Sequence, residues 1–228
     1  MKYRKPSAGP DRLQALPGIV GLAVLLGAVG ACGPGTTGDE NVDARLRATG
    51  YSGIVLPEPP AKPDFVLTDT EGQPFDFRRE TADRITLLFF GFTHCPDICP
   101  VHLANLGAVV DRLDADVRRR IQVVFVSVDP ERDTPERIRE WLDVFHPSFV
   151  GLRGSFEEVN RIQAAINLPP ALIDEDDAAD GQYSVGHSAQ ILAFTPDGFA
   201  HVTYPFGIRQ QDWLRDLPRL ADSEWARP

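Results

Sequence analysis

The sequence predicts an α/β fold, a mixed central sheet with helices on both faces. Two runs, ITLLFF at 85–90 and QVVFVSV at 122–128, have the composition of strands buried on both sides. Each is followed by a segment of helical periodicity, and that order implies parallel pairing. Later, two short β-rich stretches flank Pro196-Asp197-Gly198 and read as a hairpin, which adds antiparallel strands.

In chain order, residues 65–69 form a short strand, and Glu71-Gly72 turns the chain before Phe75 and Phe77. After the strand at 85–90, a helix is expected over 100–113, where Leu103, Leu106, Val109, Val110 and Leu113 fall at helical spacing. The strand at 122–128 precedes a helix that starts at Pro135, capped by Thr134, with Ile138, Trp141, Leu142 and Phe145 along one face. Residues 155–167 read as another helix, with Ser155 as N-cap and Glu158 completing a capping box. An acidic loop at 173–181 separates it from strands at 190–194 and 200–204. A last helix covers 208–221 and is expected to bend or break near Pro218. There are no internal repeats and no glycine-rich phosphate loop.

The N-terminus carries the clearest address. Lys2, Arg4 and Lys5 form a positive segment, and an uncharged, mostly apolar stretch runs to Ala31. Val29-Gly30-Ala31-Cys32 then resembles a bacterial lipoprotein box, in which lipid is carried by the new N-terminal cysteine, here Cys32. An uncleaved signal anchor is the alternative, although a stretch containing Pro17, Gly18, Gly21 and Gly27 is short for a bilayer span. Both place an exported domain on a membrane, facing the periplasm or another extracytoplasmic, oxidising space. The expected layout is therefore a signal peptide at 1–32, a flexible Gly/Pro/Asp/Thr-rich linker at 33–62, and one domain at 63–228.

Composition supports a packed domain, with 43% hydrophobic and 25% charged residues. The net charge is −10 for the whole chain and −13 once residues 1–31 are removed, since 19 basic and 32 acidic residues remain. Such a body is repelled by nucleic acid, which is excluded as a partner, and by anionic headgroups. A cation or a basic protein is a better match.

Of three cysteines, one lies at the export signal. The others, Cys95 and Cys99, sit in His94-Cys95-Pro96-Asp97-Ile98-Cys99-Pro100 between a buried strand and the next helix. Pro100 suits the first helical position and disfavours helical geometry before it, so Cys99 is expected as N-cap. Sulfurs beside the unpaired N–H groups of a helix N-terminus have a lowered thiol pKa, as a metal ligand or a redox thiol requires. A plain structural disulfide is the bland alternative, but so small a loop constrains little chain entropy. The Cys-x3-Cys spacing departs from the usual Cys-x2-Cys oxidoreductase motif. Two soft thiolates favour Cu(I), whereas zinc wants four ligands.

A third ligand is then sought among five histidines. His94 adjoins Cys95, but its side chain can point away. His102 fits a solvated helix face, His146 sits at a helix end where a cation is favoured, and His201 alternates along an outer hairpin strand. His187 lies in Tyr183-Ser184-Val185-Gly186-His187-Ser188, just before a strand; on spacing alone a lone histidine is more often structural or superficial. Asp129 ends the second buried strand, at the sheet edge where open α/β folds bind ligands. It could orient a copper ligand, accept a thiol proton or meet a partner, while Asp129-Pro130 and Asp133-Thr134-Pro135 also make good turns and caps. Arg132 can pair with these carboxylates.

Three stretches together resemble the Sco/SenC family: Phe90-Gly91-Phe92-Thr93-His94-Cys95-Pro96-Asp97-Ile98-Cys99-Pro100, Val126-Ser127-Val128-Asp129-Pro130-Glu131-Arg132-Asp133-Thr134-Pro135, and His187-Ser188. The similarity covers roughly residues 63–210. It implies a thioredoxin-like fold, copper held by Cys95, Cys99 and His187, and a role in loading the binuclear copper centre of cytochrome c oxidase. One departure is Gly186, where the family commonly has an acidic or amide residue, so a group that could orient the histidine is missing.

The resemblance implies a copper chaperone that delivers rather than turns over, with the oxidase's copper-bearing subunit, a thiol reductase and other copper chaperones as partners. The same cysteines permit a thiol–disulfide oxidoreductase that keeps the oxidase cysteines reduced. Against that, ordinary thioredoxin-like oxidoreductases carry a proline just before the strand facing the active site; this chain has none between Pro170 and Pro196 and has His187 there. A copper or redox sensor would use the same dithiol.

Overall fold

The structure, a computed structural model, describes residues 49–174, 183–223 and 225. The signal segment, Cys32, residues 33–48 of the expected linker, residues 175–181 of the expected acidic loop and residue 182 lie outside the described residues. No helix among the described residues is long and apolar enough to cross a membrane.

Strands β1 (Ile54–Val55), β2 (Val66–Asp69) and β3 (Pro74–Asp76) lead into a single helical turn, α1 (Phe77–Glu80). Next come β4 (Ile85–Gly91), α2 (Ile98–Arg112), α3 (Ala115–Arg120) and β5 (Ile121–Ser127). They are followed by α4 (Pro135–Asp143), β6 (Val150–Arg153) and α5 (Phe156–Ala165). The chain continues through β7 (Leu172–Asp174), β8 (Ser184–Gly186), β9 (Ile191–Phe194), β10 (Ala200–Tyr204) and α6 (Gln210–Asp222).

Eight strands make one mixed sheet in the order β1-β10-β9-β4-β5-β6-β2-β3. The two apolar runs lie side by side at its centre, parallel, with Ile85 opposite Ile121 and Gly91 opposite Ser127. Every residue of β4 is buried, as a strand covered on both faces must be. Alternate side chains then feed two cores. Leu87, Phe89, Val123 and Phe125 pack with Leu103 and Leu106 of α2, Ile138 and Leu142 of α4, and Trp213 and Leu217 of α6. Leu88, Phe90, Val124 and Val126 pack with Phe77 of α1 and Val159 and Ile162 of α5. Helices therefore cover both faces, as expected.

Several expectations need correction. Cys99 is not an N-cap: α2 starts at Ile98, its cap is Asp97, and Cys99 lies inside the first turn. Pro100 is tolerated there because first-turn N–H groups have no intrahelical acceptor to lose. Within the stretch read as linker, residues 52–61 pack on the domain. Ser52 N–H donates to buried Asp216 (2.6 Å), β1 pairs antiparallel with β10, and Ala61 bridges Phe199. The acidic loop begins as strand, since β7 pairs with β8 in a ribbon separate from the main sheet. Helix α6 runs on through Pro218, because Trp213, Leu217 and Leu220 anchor it in the core despite the missing N–H.

Thr134 and Ser155 cap α4 and α5 as expected, the latter with both halves of its capping box made. The hairpin turn holds too, with Gly198 at φ +90°, a conformation open to glycine.

Candidate metal centre

The carboxyl end of β4 delivers the chain to a tight loop. The Val128 N–H donates to Gly91 O (2.8 Å), and the Cys95 N–H donates back to Phe92 O (3.2 Å), closing a turn before α2. Thr93, in between, is tied to a residue forty positions later: its N–H (3.1 Å) and hydroxyl (2.6 Å) both donate to the Asp133 carboxylate. The Ser127 hydroxyl donates to the same group (2.6 Å), and Asp133 is wholly buried. A buried carboxylate needs such donors, and here they fix the cysteine loop against the end of β5. The expected turn-and-cap role of Asp133 thus understates it.

Gly91 makes room for the second sulfur. A Cβ built on it would lie 2.8 Å from Cys99 Sγ, 3.0 Å from Phe125 and 3.1 Å from Phe89. No side chain fits there without displacing the sulfur.

Cys95 is half-buried and Cys99 fully buried, and both are free thiols. The Cys99 N–H, in the first turn of α2, donates to Cys95 Sγ (3.4 Å). His187 arrives from the end of β8, 88 positions after Cys99, with Nε2 3.5 Å from Cys99 Sγ. Its Nδ1–H donates to Ser188 O (3.0 Å), since a carbonyl can only accept, which leaves the Nε2 lone pair facing the sulfurs. Phe92 and Phe89 meet the ring edge to face, at 5.6 and 6.1 Å. The three ligand atoms lie within 4.8 Å of one another. Bonds of about 2.0–2.3 Å from nitrogen and sulfur to a central ion span nearly that distance. Two sulfurs and one imidazole nitrogen are a donor set that suits copper, and zinc would ask for a fourth ligand.

The two thiols are driven apart in acidity. Donation from the Cys99 thiol, helped by the neighbouring His187 ring and the backbone N–H groups of Cys99 and Asp97, outweighs burial and lowers Cys95 to about 3. Burial, reinforced by the neighbouring Cys95 sulfur, pushes the Cys99 thiol far above its ordinary range. Cys95, half-buried, is therefore the thiolate, and Cys99 the buried proton holder.

Asp129 is not at the sulfurs. Buried, it accepts from Arg132 Nε (2.6 Å) and the Tyr183 hydroxyl (2.5 Å), so the expected pairing with Arg132 is made. His94, Asp129 and Asp133 also cluster within 4.8 Å, but the donors above already occupy both carboxylates. The remaining histidines have other partners. His146 faces Asp111 (3.3 Å), and His201, buried rather than outward, bonds Asp197 (2.7 Å). His102 is 4% exposed, not solvated, and its Nε2–H donates to Ala189 O (2.8 Å). Its position on the stripe with Cys99, Leu106 and Val109 is the signal that places it inside. Among the described residues, the one atom within 4 Å of a Cβ added at Gly186 is Leu172 O at 3.8 Å, so none of them fills the position.

The SCO1/SenC family model matches residues 56–222. A Stutzerimonas stutzeri protein, provisionally named as copper-binding, is 35% identical over 173 residues, which cover 75% of this chain and 82% of that one. The solution structures of apo Sco1 from Thermus thermophilus align with a TM-score of 0.66 at 35% identity, covering 75% of this chain and 96% of theirs. The crystal structure of Arabidopsis thaliana ScoI with copper bound aligns with a TM-score of 0.61 at 30% identity, over 70% of this chain and 97% of its own. The chain spans about half the length of the mitochondrial relatives it matches.

Proposed function

The chain belongs to the SCO1/SenC family, with a thioredoxin-like fold, and on that premise we propose that it is a copper metallochaperone which supplies the binuclear copper centre of cytochrome c oxidase. The ion is its cargo, held by Cys95, Cys99 and His187. The observation that carries this reading is the convergence of two sulfurs and an imidazole nitrogen within 4.8 Å. One relative provisionally named as a copper-binding protein, and one solved with copper bound, support it.

The residues divide the work. Cys99 and His187 face each other inside the site, while Cys95, the more accessible sulfur, is where an acceptor's ligand can reach the ion and begin exchange. Cys95 offers a thiolate without a further proton loss, whereas Cys99 must give up its proton as the ion enters. Loading therefore requires reduced thiols, and in an oxidising space that calls for a thiol reductase as well as a copper donor. Lipid at Cys32 would hold the domain at the membrane, next to a membrane-bound oxidase subunit.

The split acidity supports a second reading, thiol–disulfide exchange. The Cys95 thiolate would attack a target disulfide, and Cys99, once deprotonated, would displace the target, leaving a Cys95–Cys99 disulfide and two target thiols. One experiment separates the two. Reduced protein, and Cys95→Ala, Cys99→Ala and His187→Ala, are titrated with copper under metal analysis and absorption spectroscopy, and assayed for disulfide reduction without copper. The chaperone reading expects about one copper per reduced protein and none per oxidised protein, with His187→Ala weakening Cu(II) most. Copper-independent turnover that Cys95→Ala abolishes, with His187→Ala harmless to Cu(II) binding, favours the oxidoreductase.

A further inference from the structure

The segment that brings His187 to the sulfurs is not part of the main sheet. Among the described residues its strand β8 pairs with β7 alone, and the eight-stranded sheet resumes at Ile191. Residues 187–190 thus cross from ribbon to sheet without a strand ladder, so their placement rests on side-chain contacts with the body.

Two such contacts bracket the histidine. On its N-terminal side the Tyr183 hydroxyl donates to Asp129 (2.5 Å), and the Tyr183 ring lies against the Arg132 guanidinium at 3.6 Å. Both partners are fixed: Asp129 is wholly buried and also takes Arg132 Nε, and the Arg132 guanidinium lies 5.7 Å from the Phe92 ring, which itself meets His187 edge to face. On the C-terminal side His102 Nε2–H donates to Ala189 O (2.8 Å). His102 stands one turn after Cys99 on α2, and its ring is wedged between Phe89 and Phe206 at 5.2 and 5.3 Å. That bond gauges the gap between the helix that carries a sulfur and the loop that carries the imidazole.

We propose that Tyr183 and His102 are positioning residues that clasp the His187 segment at its two ends and set the reach of the imidazole to the sulfurs. The inference rests on His187 being a ligand. Neither residue touches the ligand atoms; both act through the backbone that presents the ring. Outer groups that orient a metal-bound histidine are typically worth about 10–100-fold in affinity.

The test uses reduced full-length protein with Cu(II) as probe, and Tyr183→Phe, His102→Leu and His102→Gln alone and on a His187→Ala background. Tyr183→Phe keeps the ring, His102→Leu keeps apolar bulk, and His102→Gln keeps an N–H donor. Tyr183→Phe and His102→Leu are expected to speed Cu(II) release by about 10–100-fold and to shift the sulfur-to-copper absorption band, with His102→Gln closer to wild type. Without metal, amide hydrogen exchange over residues 184–190 should quicken in both variants while the strands of the main sheet keep their protection. On the His187→Ala background neither variant should weaken copper further. Equal weakening on that background, or faster exchange with unchanged Cu(II) release, overturns the clasp while leaving His187 a ligand. Unchanged release and spectrum in His187→Ala itself removes the ligand, and the clasp's role goes with it.

Discussion

Replacing Gly91 with alanine is the most direct challenge to the geometry described above. The added Cβ would meet Cys99 Sγ at 2.8 Å, Phe125 at 3.0 Å and Phe89 at 3.1 Å. Carbon contacts are comfortable at about 3.5–4.0 Å, so the new methyl overlaps neighbours on three sides by roughly half to one ångström. None can retreat into solvent, because all three are 0% exposed. Nor can the strand slide, since Gly91 is registered against Ser127 and accepts from Val128 N–H. Overpacking of this kind costs about 1–3 kcal/mol. For a chain of this size that is a fall of about 2–12 °C in Tm. The sulfur that must yield is also a proposed ligand, so copper affinity should fall together with stability.

The assay is thermal unfolding of the reduced, metal-free protein, followed by copper titration. Gly186→Ala is the control: it adjoins His187, yet among the described residues its Cβ would meet nothing closer than 3.8 Å, and it should shift Tm little. A Gly91→Ala protein that melts within about 1 °C of wild type and binds copper normally would refute the packing argument.

Asp133→Asn removes the charge that accepts from Thr93 and Ser127 in a buried setting, and should cost about 2–3 kcal/mol in denaturant unfolding; an unchanged midpoint speaks against its anchoring role. Because Cys95 titrates near 3, its alkylation rate should stay flat as pH falls from about 8 to about 5. In Cys99→Ala the leading cause of that shift is gone, so the rate should fall with acid inside the same window; a tenfold drop per pH unit in the wild type would contradict the assignment. Ser155→Ala breaks the capping box of α5 and should cost about 1 kcal/mol with copper binding unaltered, measured by unfolding and titration in parallel.

What the sequence made legible follows from range. ITLLFF and QVVFVSV declare the central strands because burial on both faces demands unbroken apolar residues. Thr134 and Ser155 declare helix starts because capping is a contact within four residues. Strand β6, VGLR, and helix α3, ADVRRR, went unread: the first exists through parallel pairing with β5, and the second lacks an apolar stripe. At the site, the two cysteines were plain, but His187 was one of five histidines until the family resemblance singled it out. Its approach to Cys99 is made across 88 residues, which no local pattern encodes. Tyr183 escaped notice for the same reason, its partner Asp129 being 54 positions away.

The small β7–β8 ribbon bears on how an ion held as proposed would be released. Both cysteines are rooted in the principal sheet and its helix, whose disruption means global unfolding. The imidazole instead stands on an appendage with three residue pairs of its own. Peeling that appendage back is a sub-global opening, cheaper than melting the body. If an ion is held as proposed, Cys95 and Cys99 could keep it while the imidazole withdraws with the ribbon, which would leave one position open to an incoming ligand.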